Sequence, residues 1–218
     1  MNRRSFLQTA GVGSTALAVT ASAQVAAGAA VPAATPDGQT LFEFLGRSEQ
    51  DGPNVTHFGY LTRIAGLVDD LLFTDANVRT EATARFTFLA ATTLDSRHEL
   101  GNIITTSAPG ELTLFLNQTP QGDFSDPTSF AQGRSIAVFS TRYHNVLNVQ
   151  APNQGITTAS VELMQLRANV FALSRQRFSL GRPGLRARLS ANGQGTRTQP
   201  DPVRAFFLVG GSAVVTEP

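Results

Sequence analysis

The 218-residue chain has no cysteine and no lysine; its 17 basic residues are all arginine, set against 16 acids for a net charge of +1. Without cysteine there is no disulfide, thiolate metal site, iron–sulfur cluster or cysteine nucleophile, and without lysine there is no Schiff-base chemistry and no Walker-type phosphate loop. Charged residues make up only 15% of the chain, and their balance offers no basic stripe, so no nucleic-acid partner is expected.

The chain opens Asn2-Arg3-Arg4-Ser5-Phe6-Leu7-Gln8, with adjacent arginines, a polar residue and then Phe-Leu. Residues 11–19 are mildly apolar and interrupted by Gly, Ser and Thr. That is too short for a bilayer span, which takes ~20 apolar residues, so no transmembrane anchor is expected. Ala21-Ser22-Ala23 and Ala27-Gly28-Ala29 are both small-x-small cleavage sites. These features in this order resemble the twin-arginine signal family. The resemblance implies a signal peptide over 1–30, cleaved after Ala23 or Ala29, and export in the folded state by the twin-arginine translocase. It also implies a secreted, periplasmic or cell-envelope location. Removing Arg3 and Arg4 leaves 15 arginines against 16 acids, a mature charge of about −1. Some passengers of this route fold around a cofactor, but the mature chain offers no recognisable place for one, and no cofactor is expected. Residues 31–40, made of Ala, Pro, Gly and polar residues, read as a flexible linker.

From 41 to 218 the dominant signal is period-two alternation bounded by turn residues, the pattern of half-buried strands. Short runs at 41–45 and 58–64 come first. Ile64, Leu67, Val68, Leu71 and Leu72 then follow a helical spacing that Gly66 interrupts. Ala84, Phe86, Phe88 and Ala90 alternate with Arg85, Thr87, Leu89 and Ala91. A run at 102–106 and the Leu112, Leu114, Leu116 strand are separated by Ala108-Pro109-Gly110, which reads as a turn. A loop over 121–132 carries Asp126-Pro127. A run from Arg134 to Val149 is far longer than the usual 5–6 residues. It ends at the turn 151–155. Residues 160–174 hold helix formers, yet Val161, Leu163, Phe171 and Leu173 share a parity, and a strand is expected.

Next, Phe178-Ser179-Leu180 and Leu185-Arg186-Ala187 flank Gly181-Arg182-Pro183-Gly184, which predicts a hairpin. In that register Leu180 faces Leu185, while Arg175, Arg177, Arg186 and Arg188 gather on the other face, a candidate patch for an anionic ligand or the cell envelope. A last run covers Ala205 to Val209, ends at Gly210-Gly211 and resumes at Ala213-Val214-Val215. Eight or nine long strands joined by short turns suit an all-β, antiparallel barrel closed on itself; a lipocalin-like barrel or a β-sandwich is the alternative. In outline the long, Gly-punctuated strands resemble the allene oxide cyclase and dirigent-type barrels. That likeness implies a fold and, at most, guidance of a cyclisation or coupling; no functional residue carries over from it.

Chemistry is sparse. His57, His98 and His144 have no partner at metal spacing, and Gly210-Gly211-Ser212-Ala213-Val214 departs from a nucleophile elbow at its last position. Asp69, Asp70, Asp75 and Glu81 lack the alternation of a calcium loop. Within the long run, Ser140, Arg142 and His144 share one face of a strand, and Thr141, Tyr143 and Asn145 the other. A polar set on an inner barrel wall is how small-ligand sites are built, so Ser140, Arg142, His144 and Tyr143 are the candidate ligand-binding residues. The sequence thus favours an exported barrel that binds a small, partly apolar ligand and has no catalytic motif. Its alternatives are a cyclase-like enzyme and an envelope module acting through the arginines. Oligomeric state is not legible.

Overall fold

A computed structural model describes residues 31–33 and 35–216, so the export segment, 1–30, lies outside the described residues. Twelve strands follow in chain order: β1 (Val31–Ala33), β2 (Thr40–Asp51), β3 (Asn54–Ile64), β4 (Phe86–Thr93), β5 (Ser96–Leu100), β6 (Ile103–Leu116), β7 (Arg134–Ala151), β8 (Gln154–Ala168), β9 (Phe171–Leu173), β10 (Gln176–Leu180), β11 (Arg186–Pro200) and β12 (Val203–Val215). Short 3-10 helices at Asp69–Leu72 and Pro127–Ala131 interrupt them.

Eight strands run β4-β3-β2-β12-β11-β8-β7-β6, all antiparallel, and β4 pairs back onto β6, closing the sheet into a barrel. β5 is an extra strand, paired with the first half of β6 alone. The barrel is therefore the architecture, and the sandwich alternative falls away.

Side-chain parity explains the closure. β8 alternates exposed and buried residues from Gln154 to Gln165, and β11 does so from Arg186 to Gln194. One side meets the barrel interior and the other meets solvent. The wall formed by β3 and β4 differs, because Phe58, Gly59, Tyr60 and Leu61 are all buried in succession. Their outer side is covered: Phe58 packs on Phe124 and Phe130 at 6.0 and 5.4 Å, Tyr60 packs on Phe73 at 6.2 Å, and the Thr87 hydroxyl donates to the Phe130 carbonyl. Strands buried on both faces lose alternation and read as continuous apolar runs.

β1, β9 and β10 make a small separate sheet at the barrel end where β8 leaves and β11 enters. Phe171 of β9 meets Phe86, an inward residue of β4, at 5.7 Å. The buried Gln165 amide donates to the Leu180 carbonyl at 2.7 Å. Phe139, Leu163 and Leu185, each at most 3% exposed, fill the same end.

Several local expectations change. Val31–Ala33, inside the stretch read as a linker, pairs in parallel with Phe178–Leu180. The helical spacing at 64–72 yields one 3-10 turn, with Gly66 at φ +78° just before it. Gly210-Gly211 interrupts nothing, since β12 runs through it.

Ala108-Pro109-Gly110 is no turn. It lies inside β6, at the point where Ser107 is the last residue on β5 and Gly110 the first on β4. A proline without an N–H suits a stretch with no partner on one edge. A Cβ on Gly110 would stand 2.2 Å from the Ala91 carbonyl oxygen, so the crossover admits only glycine.

The hairpin joining 178–180 to 185–187 is not formed. Both edges of β11 are taken, by β8 and by β12, which leaves no edge for β10. Instead β10 pairs with β9 across Ser174 and Arg175, at φ +48° and +67°, the signature of a type I′ turn. Arg182-Pro183-Gly184-Leu185 then turns from the small sheet into the barrel. Gly184 is at φ +86° and the Leu185 amide donates to the Arg182 carbonyl at 3.0 Å, which is a type II turn.

Candidate functional site

An eight-stranded barrel is just wide enough to be filled by side chains or to hold one small ligand. This one is filled at the end carrying β9 and β10. Toward the other end it holds a cavity of about 110 Å³, reaching the tips of the β2–β3 and β4–β5 connections through Gln50, Val55 and Leu94.

The cavity has two unlike walls. One is aromatic and aliphatic: Phe42 and Phe44 from β2, Phe88 from β4, Leu189 from β11, Phe207 and Val209 from β12. Phe44 and Phe88 meet edge to face at 5.4 Å, a favoured aromatic geometry. The facing wall, from β6, β7 and β8, mixes Ile104, Leu112, Leu114, Leu147 and Ala159 with the polar side chains of Thr106, Tyr143, Asn145 and Thr157. Register sets this up: Thr106 lies opposite Asn145, and Leu147 opposite Thr157.

Between the walls sits His57. Its ring stacks on that of Tyr143, with centroids 4.4 Å apart and planes 1° from parallel. The Thr92 hydroxyl donates to the Val55 carbonyl at 3.2 Å, which commits its one proton. Its oxygen then accepts from His57 Nε2–H at 3.3 Å. That leaves Nδ1 bare, to accept the Ser48 hydroxyl at 2.7 Å. With a neutral imidazole the chain Ser48–His57–Thr92–Val55 is internally satisfied. Burial favours that form: desolvation lowers the His57 pKa from its ordinary 6.5 to about 4.

Tyr143 is 7% exposed. Desolvation pushes its phenol pKa well above the ordinary 10, so it remains a donor at any physiological pH. The phenol oxygen has no hydrogen-bond partner among the described residues. The one charged side chain lining the cavity, Arg97 of β5, is already bound to Glu99, Nε to Oε1 at 2.8 Å.

The long strand β7 divides the sequence candidates between its two faces. Tyr143 points into the cavity, with Asn145 beside it and the buried Thr141 on the same side. Ser140, Arg142 and His144 point outward. Arg142 pairs with Asp95 at 2.9 Å, and Ser140 donates weakly to the Met164 carbonyl at 3.4 Å.

The four arginines of the expected patch are split between two sheets. Arg175 and Arg177 belong to the β9–β10 unit, and Arg186 and Arg188 to the outer face of β11. There Arg188 pairs with Glu162 at 3.4 Å. No group of three His, Asp or Glu side chains able to hold a metal ion occurs among the described residues.

Ser48, His57 and Thr92 escape sequence reasoning because β3 is apolar on both parities. His57, Gly59 and Leu61 carry no stronger core signature than Phe58 and Tyr60. The available signal was Ser48 and Gln50 continuing the parity of Phe42 and Phe44 along β2. Set against protein-family models, curated proteins and solved structures, the chain matches none.

Proposed function

We propose that this protein is exported through the twin-arginine route and binds a small, largely apolar ligand in the open end of its barrel. The observation that carries the reading is the cavity itself: apolar for the most part, with a phenol, an amide and hydroxyls on one wall that have no partner among the described residues. Sites of this make-up, mostly apolar with a few placed polar groups, are how proteins take small molecules. Binding is favoured over proton-transfer catalysis because a general base works best with a pKa near the operating pH. A histidine held at about 4 is a weak one.

Ethylbenzene titrated into the purified protein, followed by NMR shifts of the His57 and Tyr143 rings, tests the pocket. Saturable shifts at those rings, lost when Ala191→Phe fills the cavity, are expected. No shift up to the solubility limit refutes the binding reading. Export is tested separately: replacing Arg3 and Arg4 together by lysine should leave the precursor in the cytoplasm, and unchanged export rules out the twin-arginine route.

A further inference from the structure

We infer that the ligand is an uncharged molecule of about one ring, carrying a carbonyl or ether oxygen that accepts a hydrogen bond from Tyr143, and that carboxylates are excluded. This inference rests on the ligand-binding reading and names the chemistry it selects.

Size comes first. The cavity, about 110 Å³, is of the order of a dry ~150 Å³ protein cavity that admits benzene. One ring with a short substituent directed at the mouth fits; a second fused ring does not.

Charge comes next. A buried carboxylate needs a cation or several donors to offset its lost hydration. Among the described residues the cation lining the cavity is Arg97, which Glu99 already neutralises at the exposed rim, so an anion there competes with an existing carboxylate. His57 cannot serve either: both its nitrogens are engaged, by Ser48 and Thr92. What remains unpartnered is neutral: the Tyr143 phenol, the Asn145 amide and the hydroxyls of Thr106 and Thr157.

Polarity then fixes the functional group. Tyr143 is more than nine-tenths buried, lines the cavity, and is held in place by its stack on His57. A phenol with no protein acceptor is satisfied by a ligand oxygen. The phenylalanines opposite take the hydrocarbon part. A ligand lacking the oxygen would leave that donor buried and unpaired, which is how a polar group in an apolar site discriminates.

Three probes of one shape separate these points: acetophenone, ethylbenzene and benzoate, titrated calorimetrically into the full chain and into the Tyr143→Phe variant. Acetophenone should bind tightest to the wild-type protein, and benzoate at least ~10-fold more weakly. Tyr143→Phe should weaken acetophenone roughly 3- to 10-fold, the range of one hydrogen bond, and tighten ethylbenzene, which no longer buries an unpaired donor. Should that variant fold poorly, the wild-type ratio carries the test: ethylbenzene binding as tightly as acetophenone overturns the inference.

Benzoate binding as tightly as acetophenone overturns the inference but leaves the ligand-binding reading standing. The same holds if ethylbenzene weakens as much as acetophenone in Tyr143→Phe. Failure of all three probes refutes both.

Discussion

Lowering the pH from 7.5 to 4.5 charges His57 in the unfolded chain while leaving it mostly neutral in the barrel. Its pKa falls from 6.5 to about 4 on folding, because the buried imidazolium loses its hydration. The unfolded state therefore binds more protons across this window, and stability falls as pH falls. The contribution is complete above about pH 6.5 and is lost progressively toward pH 4. Worked through the two pKa values, the loss between pH 7.5 and 4.5 is on the order of 2–3 kcal/mol.

Carboxylates titrate in the same range, so the quantity to measure is the difference between the wild type and His57→Asn, which retains a polar partner for Ser48 but cannot ionise. Urea unfolding at four pH values between 7.5 and 4.5 supplies it. The variant should be less stable at pH 7.5, through loss of the stack on Tyr143, and its disadvantage should shrink by roughly 2–3 kcal/mol at pH 4.5. A difference that stays constant across the range refutes the claim that His57 is held neutral by burial.

Other expectations follow from packing. Gly110→Ala places a methyl group 2.2 Å from the Ala91 carbonyl, and should cost about 1–3 kcal/mol, seen as a lowered Tm. Phe86→Ala removes a fully buried ring that meets Phe171, and should cost about 3–5 kcal/mol by urea unfolding. Arg142→Ser breaks only an exposed pair with Asp95; it should change stability by less than about 1 kcal/mol and leave ethylbenzene affinity unaltered by calorimetry.

The barrel was legible because strict alternation survives wherever one face meets solvent. β8 and the first half of β11 announce themselves in this way, and the length of β7 requires a large curved sheet. What was not legible depends on partners distant in sequence. Pro109 and Gly110 carry turn chemistry, yet they mark an exchange of partners in mid-strand, because β5 and β4 share one edge of β6. Gly181 to Gly184 does turn the chain, but β8 and β12 had already claimed both edges of β11, so the expected hairpin had nowhere to form. Tyr143 was recognisable as half of a two-way choice, since pleat parity puts it opposite Arg142 without saying which faces inward. Ser48 and His57 come together only through the β2–β3 register, which aligns them directly.

The exchange of partners along β6 has a second effect. A closed barrel has no free strand edge, and so nothing for another chain to extend. By hanging β5 on the outside of β6, this protein regains one. The outer edge of β5 pairs with nothing among the described residues, and its sequence runs Ser96-Arg97-His98-Glu99-Leu100 with every residue from Arg97 onward exposed. Arg97 and Glu99, two residues apart and paired with each other, make a poor template for a neighbouring strand. The barrel closure thus leaves β5 as an edge, and its charged side chains guard it.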